Sequence, residues 1–244
     1  MLWLLLAACD VGRTAQHEAR LASMSAALTD AQVALADAEF ERDQLQEQVD
    51  ICRADPTQVQ ADATALFEEM HAAQQAWDAP AARAAYEVLQ RNYPHTNAGR
   101  VALRQGGALD AFGRTALPLD GVTWFGDTGT LGPVTVLYFM EEWCPHCRTE
   151  LPTMQAQHLA LVDQGVTVIG LTEVSRTSTP ASVQALLDEL QVTFPVGQVA
   201  DRTLHDHYAV EGIPAAAVLV DGHVAWRGGA RQLDWERIAG AGGG

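Results

Sequence analysis

Apolar residues recur in alternating steps of three and four near the start of the chain. Leu21, Met24, Leu28, Ala31, Leu35, Ala38, Leu45, Val49 and Cys52 fall on one stripe, broken only by Arg42. Neither Gly nor Pro occurs between about Ala15 and Arg53. A stripe of that period predicts a long helix with an a/d seam, the pattern of a coiled coil. At about 1.5 Å per residue such a stalk reaches roughly 55–60 Å. The flanking positions carry Ala, Ser and Gln as often as charge, so a parallel homodimer, a trimer and a helix folded back on its own chain all fit. Cys52 lies on a d position, where a parallel dimer brings two copies face to face; an intermolecular disulfide and a buried thiol without chemistry both remain open. Asp55-Pro56 ends the helix, since the residue before proline is pushed out of the α region.

Beyond Pro56 the helical spacing continues in shorter pieces. Thr57 is placed to cap a first helix whose Leu66, Phe67, Met70, Ala73 and Trp77 share a face, and Pro80 opens a second over 81–92 with Ala85, Tyr86 and Leu89 on one side. Tyr93-Pro94 closes it. After Gly113 the period changes. Residues 118–124 read as an opening hairpin, and 134–140 as a buried strand leading straight into Trp143-Cys144-Pro145-His146-Cys147. A helix over about 145–162, a strand over 166–171 and a helix over about 180–190 follow. Residues 215–220 and 223–227, joined by Asp221-Gly222, predict a β-hairpin, and 233–239 a last helix.

Composition narrows the function classes. All 15 Lys/Arg positions are Arg, against 31 Asp and Glu, and the net charge is -16. That balance lacks the basic footprint nucleic acid requires and repels anionic lipid, so membrane attachment would have to be covalent or apolar. Four cysteines at 9, 52, 144 and 147 do not form a disulfide framework. The leading run MLWLLLAA is too short to span a bilayer, which takes about 20 residues, but suits the apolar part of a secretory signal. Leu6-Ala7-Ala8-Cys9 resembles the lipobox of bacterial lipoproteins, although no basic residue precedes the apolar run. That resemblance implies cleavage after residue 8, lipidation at Cys9, and a mature protein in the cell envelope facing the periplasm.

The Cys-x-x-Cys pair carries the chemistry. Cys144 falls at the first turn of its predicted helix, where unpaired N–H groups and the macrodipole favour an anion, and a thiolate is the attacking species in disulfide exchange. Cys147, one turn along and more buried, is placed to resolve the mixed disulfide. Pro145 suits the first helical turn, His146 can stabilise a thiolate beside it, and Trp143 is placed to shield it. Zinc sites also use this spacing, so the context matters: the pair follows a buried strand, opens a helix, and precedes Gly212-Ile213-Pro214.

In that context residues from about 113 to 240 resemble the TlpA/ResA branch of the thioredoxin superfamily. The motifs are Trp143-Cys-Pro-His-Cys147, Arg148-x-Glu150-Leu-Pro152, Gly165-Val166-x-Val168-Ile169-Gly170, Phe194-Pro195-Val196 and Tyr208-x-Val210-x-Gly212-Ile213-Pro214. The resemblance implies an α/β thioredoxin fold, a central mixed sheet flanked by helices, and a thiol–disulfide oxidoreductase. It needs no cofactor beyond a redox-active Cys144–Cys147 disulfide. It also implies cysteine-containing client proteins, a redox partner, a cis Pro214 that with Ile213 binds substrate backbone, and Glu150 as proton acceptor for Cys147. Ala215 replaces the usual Thr after that proline. Where thioredoxin has a buried Asp this chain has Tyr138, leaving Glu150 or Glu142 to take its role. Pro-His is the dipeptide of the oxidising DsbA family, whereas the TlpA/ResA branch more often reduces its targets; the direction of exchange stays open.

The stretch around Trp77-Asp78-Ala79-Pro80 and Tyr93-Pro94 is similar to one tetratricopeptide helix pair, but stacked repeats need about three units. A helical spacer packed on its neighbour is the reading adopted. His205-Asp206-His207 could suggest a metal, but two His at i and i+2 on a helix face apart, so the pair is expected at the surface and no metal site is assigned. The alternative to an enzyme is a copper-handling or partner-docking protein. The resulting organisation is a signal over 1–8, a coiled-coil stalk over 9–55, a spacer over 56–112, a thioredoxin-like domain over 113–240 and a flexible Gly tail over 241–244.

Overall fold

The computed structural model describes residues 2–242, with side chains described for 17, 18 and 20–242. Cys9, the expected lipid site, has its side chain outside the described residues, as do Gly243 and Gly244 of the expected tail. The chain divides into two compact units, 1–56 and 57–244. The first is essentially one helix, α1 (Leu2–Arg53). It ends where expected, one turn short of Pro56. The seam residues Leu21, Met24, Leu28, Leu35 and Leu45 are each about three-fifths exposed. Among the described residues no helix is long and apolar enough to cross a membrane.

The second unit starts with α2 (Pro56–Gln75), α3 (Ala79–Asn92) and α4 (Asn97–Asp110). Pro56, not Thr57, sits at the start of α2. Its fixed φ is already helical and its missing N–H has no intrahelical partner at that position, so the helix takes in the residue expected to cap it. Asp78 caps α3 by accepting from Ala81 N (3.0 Å), and Thr96 caps α4 by accepting from Gly99 N (3.0 Å). A side chain at Gly106 of α4 would collide with the Tyr86 ring of α3, so this glycine permits the close helix approach.

The remainder is a six-stranded mixed sheet in the order β1-β4-β3-β2-β5-β6. Its strands are β1 (Thr123–Trp124), β2 (Val134–Phe139), β3 (Val166–Thr172), β4 (Val196–Gln198), β5 (Ala215–Val220) and β6 (His223–Gly229). β2, β3 and β4 run parallel; β5 is antiparallel to β2 and β6 to β5. Helices α5 (Pro145–Leu161) and α6 (Pro180–Glu189) make the crossovers, and α7 (Thr203–His207) and α8 (Trp235–Gly242) complete the flanking layers. This is the thioredoxin fold.

All six residues of β2 are buried, which explains its unbroken apolar run: both sheet faces are covered. Val134, Val136 and Tyr138 join one core with α5, α6, α8 and the buried Met70 and Leu89 of the spacer helices. Leu137 and Phe139 join a second core with Leu204, Tyr208 and Val210. The β5–β6 turn has positive φ at Asp221 (49°) and Gly222 (75°), the pairing expected of a tight hairpin.

Two other expectations are corrected. Residues 118–124 do not form a hairpin; Thr123 and Trp124 pair with Gln198 and Gly197 on the sheet edge. The strand that pairs with this segment lies not beside it but far along the chain. The last helix starts at Trp235, capped from Asp234 by a hydrogen bond to Arg237 N (3.0 Å), and continues through Gly242 into the expected tail.

Candidate functional site

The site lies where β2 ends and α5 begins. Cys144 is the N-cap of α5, with extended backbone (φ -83°, ψ 112°), and its sulfur accepts from Cys147 N at 3.4 Å. A side-chain acceptor at this position takes up a helix N–H that has no intrahelical partner. Pro145 follows in the first turn and exposes no donor. Cys144 N in turn donates to Glu141 O (3.1 Å), which fixes the turn from strand to helix. Both thiols are free and buried, Cys144 5 % exposed and Cys147 fully enclosed. Burial, then hydrogen bonding to Cys144, pushes the Cys147 thiol up to about 12. The pair is therefore asymmetric: one sulfur faces a helix N–H, the other is held protonated.

Tyr138 occupies the interior beneath the pair and donates to Cys147 O at 3.0 Å. Burial first, then the neighbouring Cys147 and Glu150, hold its hydroxyl well above the ordinary value, so it remains a donor. Of the two carboxylates expected near the buried pair, Glu150 is the one whose charge reaches Tyr138, and it is ion-paired with Arg231. Glu142 is turned elsewhere, toward Arg148 (3.1 Å) and the Ser178 hydroxyl (2.8 Å). His146 is exposed and lines a shallow depression with Pro214, Ala230 and Arg231. The Ile213–Pro214 peptide is cis, and Ile213 is partly buried against both cores.

Glu141 was not recognised in the sequence. It is 4 % exposed and accepts from Glu173 N (2.7 Å) and Ser175 N (3.1 Å) in the loop after β3. No local signal separates it from Glu142, because β2 is buried on both faces and the groups that hold Glu141 lie in a loop some thirty residues further on. Trp143 donates to the Ser175 hydroxyl (3.2 Å), and Arg176 stacks 3.6 Å above its ring.

His205 is corrected from surface to interior. It is 3 % exposed, packs edge-on against Phe139, and lies 3.4 Å from the Glu173 carboxylate. Burial lowers its pKa despite that acid, so it tends to the neutral form. The short helix α7 packs on the sheet and drives this residue inward, which a five-residue element shows by no period. His207 faces a different direction, its Nε2 2.9 Å from Thr115 O. Among the described residues no three His, Cys, Asp or Glu side chains are grouped to hold a metal ion.

Fold and site together define a thioredoxin-like domain with an asymmetric dithiol at the head of its first crossover helix. Residues 125–227 match the model of the AhpC/TSA family. The thiol-disulfide oxidoreductase ResA of Oceanobacillus iheyensis is 30 % identical over 83 residues, covering 34 % of this chain and 42 % of that protein. The sporulation thiol-disulfide oxidoreductase A of Bacillus subtilis is 27 % identical over 88 residues, covering 36 % and 53 %. The chain thus spans about half the length of the curated relatives it matches. The crystal structure of StoA from Bacillus subtilis aligns at a TM-score of 0.40 with 23 % identity, covering 46 % of this chain and 84 % of that one.

Proposed function

We propose that the protein is a thiol–disulfide oxidoreductase that exchanges disulfides with extracytoplasmic client proteins through Cys144 and Cys147. The observation that carries this reading is the asymmetry of the pair. Cys144 attacks a client disulfide as the thiolate, releasing one client thiolate and forming a mixed disulfide. Cys147 then loses its proton and attacks the Cys144 sulfur, which breaks the mixed disulfide and releases the second client thiolate; two electrons have passed to the client and the Cys144–Cys147 disulfide has formed. The same steps run backward oxidise a client dithiol. A thiol held near 12 resists deprotonation until the exchange is under way, and Glu150 accepts its proton.

His146 stabilises the Cys144 thiolate, Trp143 shields it, and Ile213 and Pro214 pair with the client backbone beside it. Lipidation of Cys9 anchors the chain in the cell envelope facing the periplasm, the stalk holds the domain off the membrane as a homodimer, and 56–112 serve as spacer. Support comes from the lipobox-like residues and the exposed seam.

Reduction of insulin by the dithiothreitol-recycled protein tests the reading. Turnover by the native chain and its loss in Cys144→Ser are expected. No turnover, together with tight Cu(I) binding by the native chain, would replace the proposal with the copper-handling alternative.

A further inference from the structure

We infer that Arg176 is a specificity-determining residue that receives a carboxylate of the client beside its target disulfide. The inference rests on the redox reading above. β2 and β3 are parallel and in register at Phe139 and Leu171, so the loops that leave them share one sheet edge. In such sheets, ligands bind at the carboxyl ends of the strands. One loop carries Cys144; the other is 173–178.

All three residues immediately before Cys144 hold that second loop. The Glu141 carboxylate accepts from Glu173 N and Ser175 N, Glu142 accepts from the Ser178 hydroxyl, and Trp143 donates to the Ser175 hydroxyl. Thr172 adds an acceptor for Val174 N at 3.2 Å. Val174 and Arg176 sit at φ 54° and 60°, a region that L side chains, β-branched ones above all, rarely adopt. A backbone so placed persists only where its surroundings over-determine it. The result fixes the Arg176 guanidinium over the ring of the residue adjoining the reactive cysteine.

Stacking occupies the face of the guanidinium and leaves its edge donors free for a planar carboxylate. The neighbouring arginines are already paired: Arg148 with Glu142 and Glu189, Arg231 with Glu150, Arg202 with Glu173 and Asp206. Arg176 is exposed, and among the described residues no carboxylate lies within ion-pair distance of it. The chain's charge of -16 repels acidic clients at long range, but screening over about 8 Å at physiological salt leaves the contact pair dominant once a client docks.

Two synthetic disulfide-bridged peptides, identical except for Glu or Gln beside one cysteine, provide the test. Single-turnover reduction by the fully reduced full-length chain needs no recycling partner. The native chain is expected to react about two- to fivefold faster with the Glu peptide, and less selectively in high salt. Arg176→Gln brings the ratio to one, and Arg176→Lys keeps part of it. A residue that merely covers Trp143 would slow both peptides equally and leave the ratio intact. A native ratio of one, or a ratio unchanged in Arg176→Gln, overturns the inference. Reduction of neither peptide by the native chain would sink the redox reading and this inference with it.

Discussion

Glu141 holds a buried carboxylate against two backbone N–H groups of a different loop. Hydrogen bonds to a charged acceptor contribute about 1.5–3 kcal/mol each, and the larger cost arises when partly buried donors lose their partner. Glu141→Ala is therefore expected to destabilise the fold by about 2–4 kcal/mol in urea denaturation, with Glu141→Gln milder because one acceptor oxygen remains. A loss under about 1 kcal/mol would show that the loop holds itself. The sequence displayed Cys144, Cys147 and Pro214 directly, because their spacing relative to a buried strand is local. It concealed which of two adjacent glutamates turns inward, since that depends on a loop some thirty residues further on.

Elements with a strong period were legible: the helix of the stalk, the fully buried β2 and the Asp221-Gly222 hairpin. The two-residue β1 was misread because its pairing with β4 leaves no local trace, and α7 was too short to show that His205 points inward. The stalk seam is legible but unpartnered within its own unit, with Leu28 and Leu35 61 % and 60 % exposed. Burying a leucine contributes about 1.5–3 kcal/mol, so a seam of this length favours a second copy. Analytical ultracentrifugation of the full chain is expected to report a dimer, and Leu28→Asp with Leu35→Asp a monomer. A monomeric native chain would contradict the coiled-coil reading.

Across the whole molecule, the spacer helices and the thioredoxin-like domain share one core, in which Met70 and Leu89 join Val134 and Tyr138. Composition changes near Gly113, but packing does not stop there, and a texture boundary in sequence is not a boundary in the core. That core encloses Cys147 and leaves Cys144 at its rim. A thiol whose folded pKa is raised favours the fold at lower pH. The unfolded chain releases that proton above about 9, so this contribution is lost as pH rises toward about 12. At neutral pH Cys147 therefore stays protonated more fully than an unperturbed cysteine. Limited iodoacetamide labelling of the reduced chain across pH, read by peptide mass spectrometry, measures this division directly. Cys144 should react ahead of Cys147 throughout; parallel labelling of the two, or Cys147 first, would contradict the account.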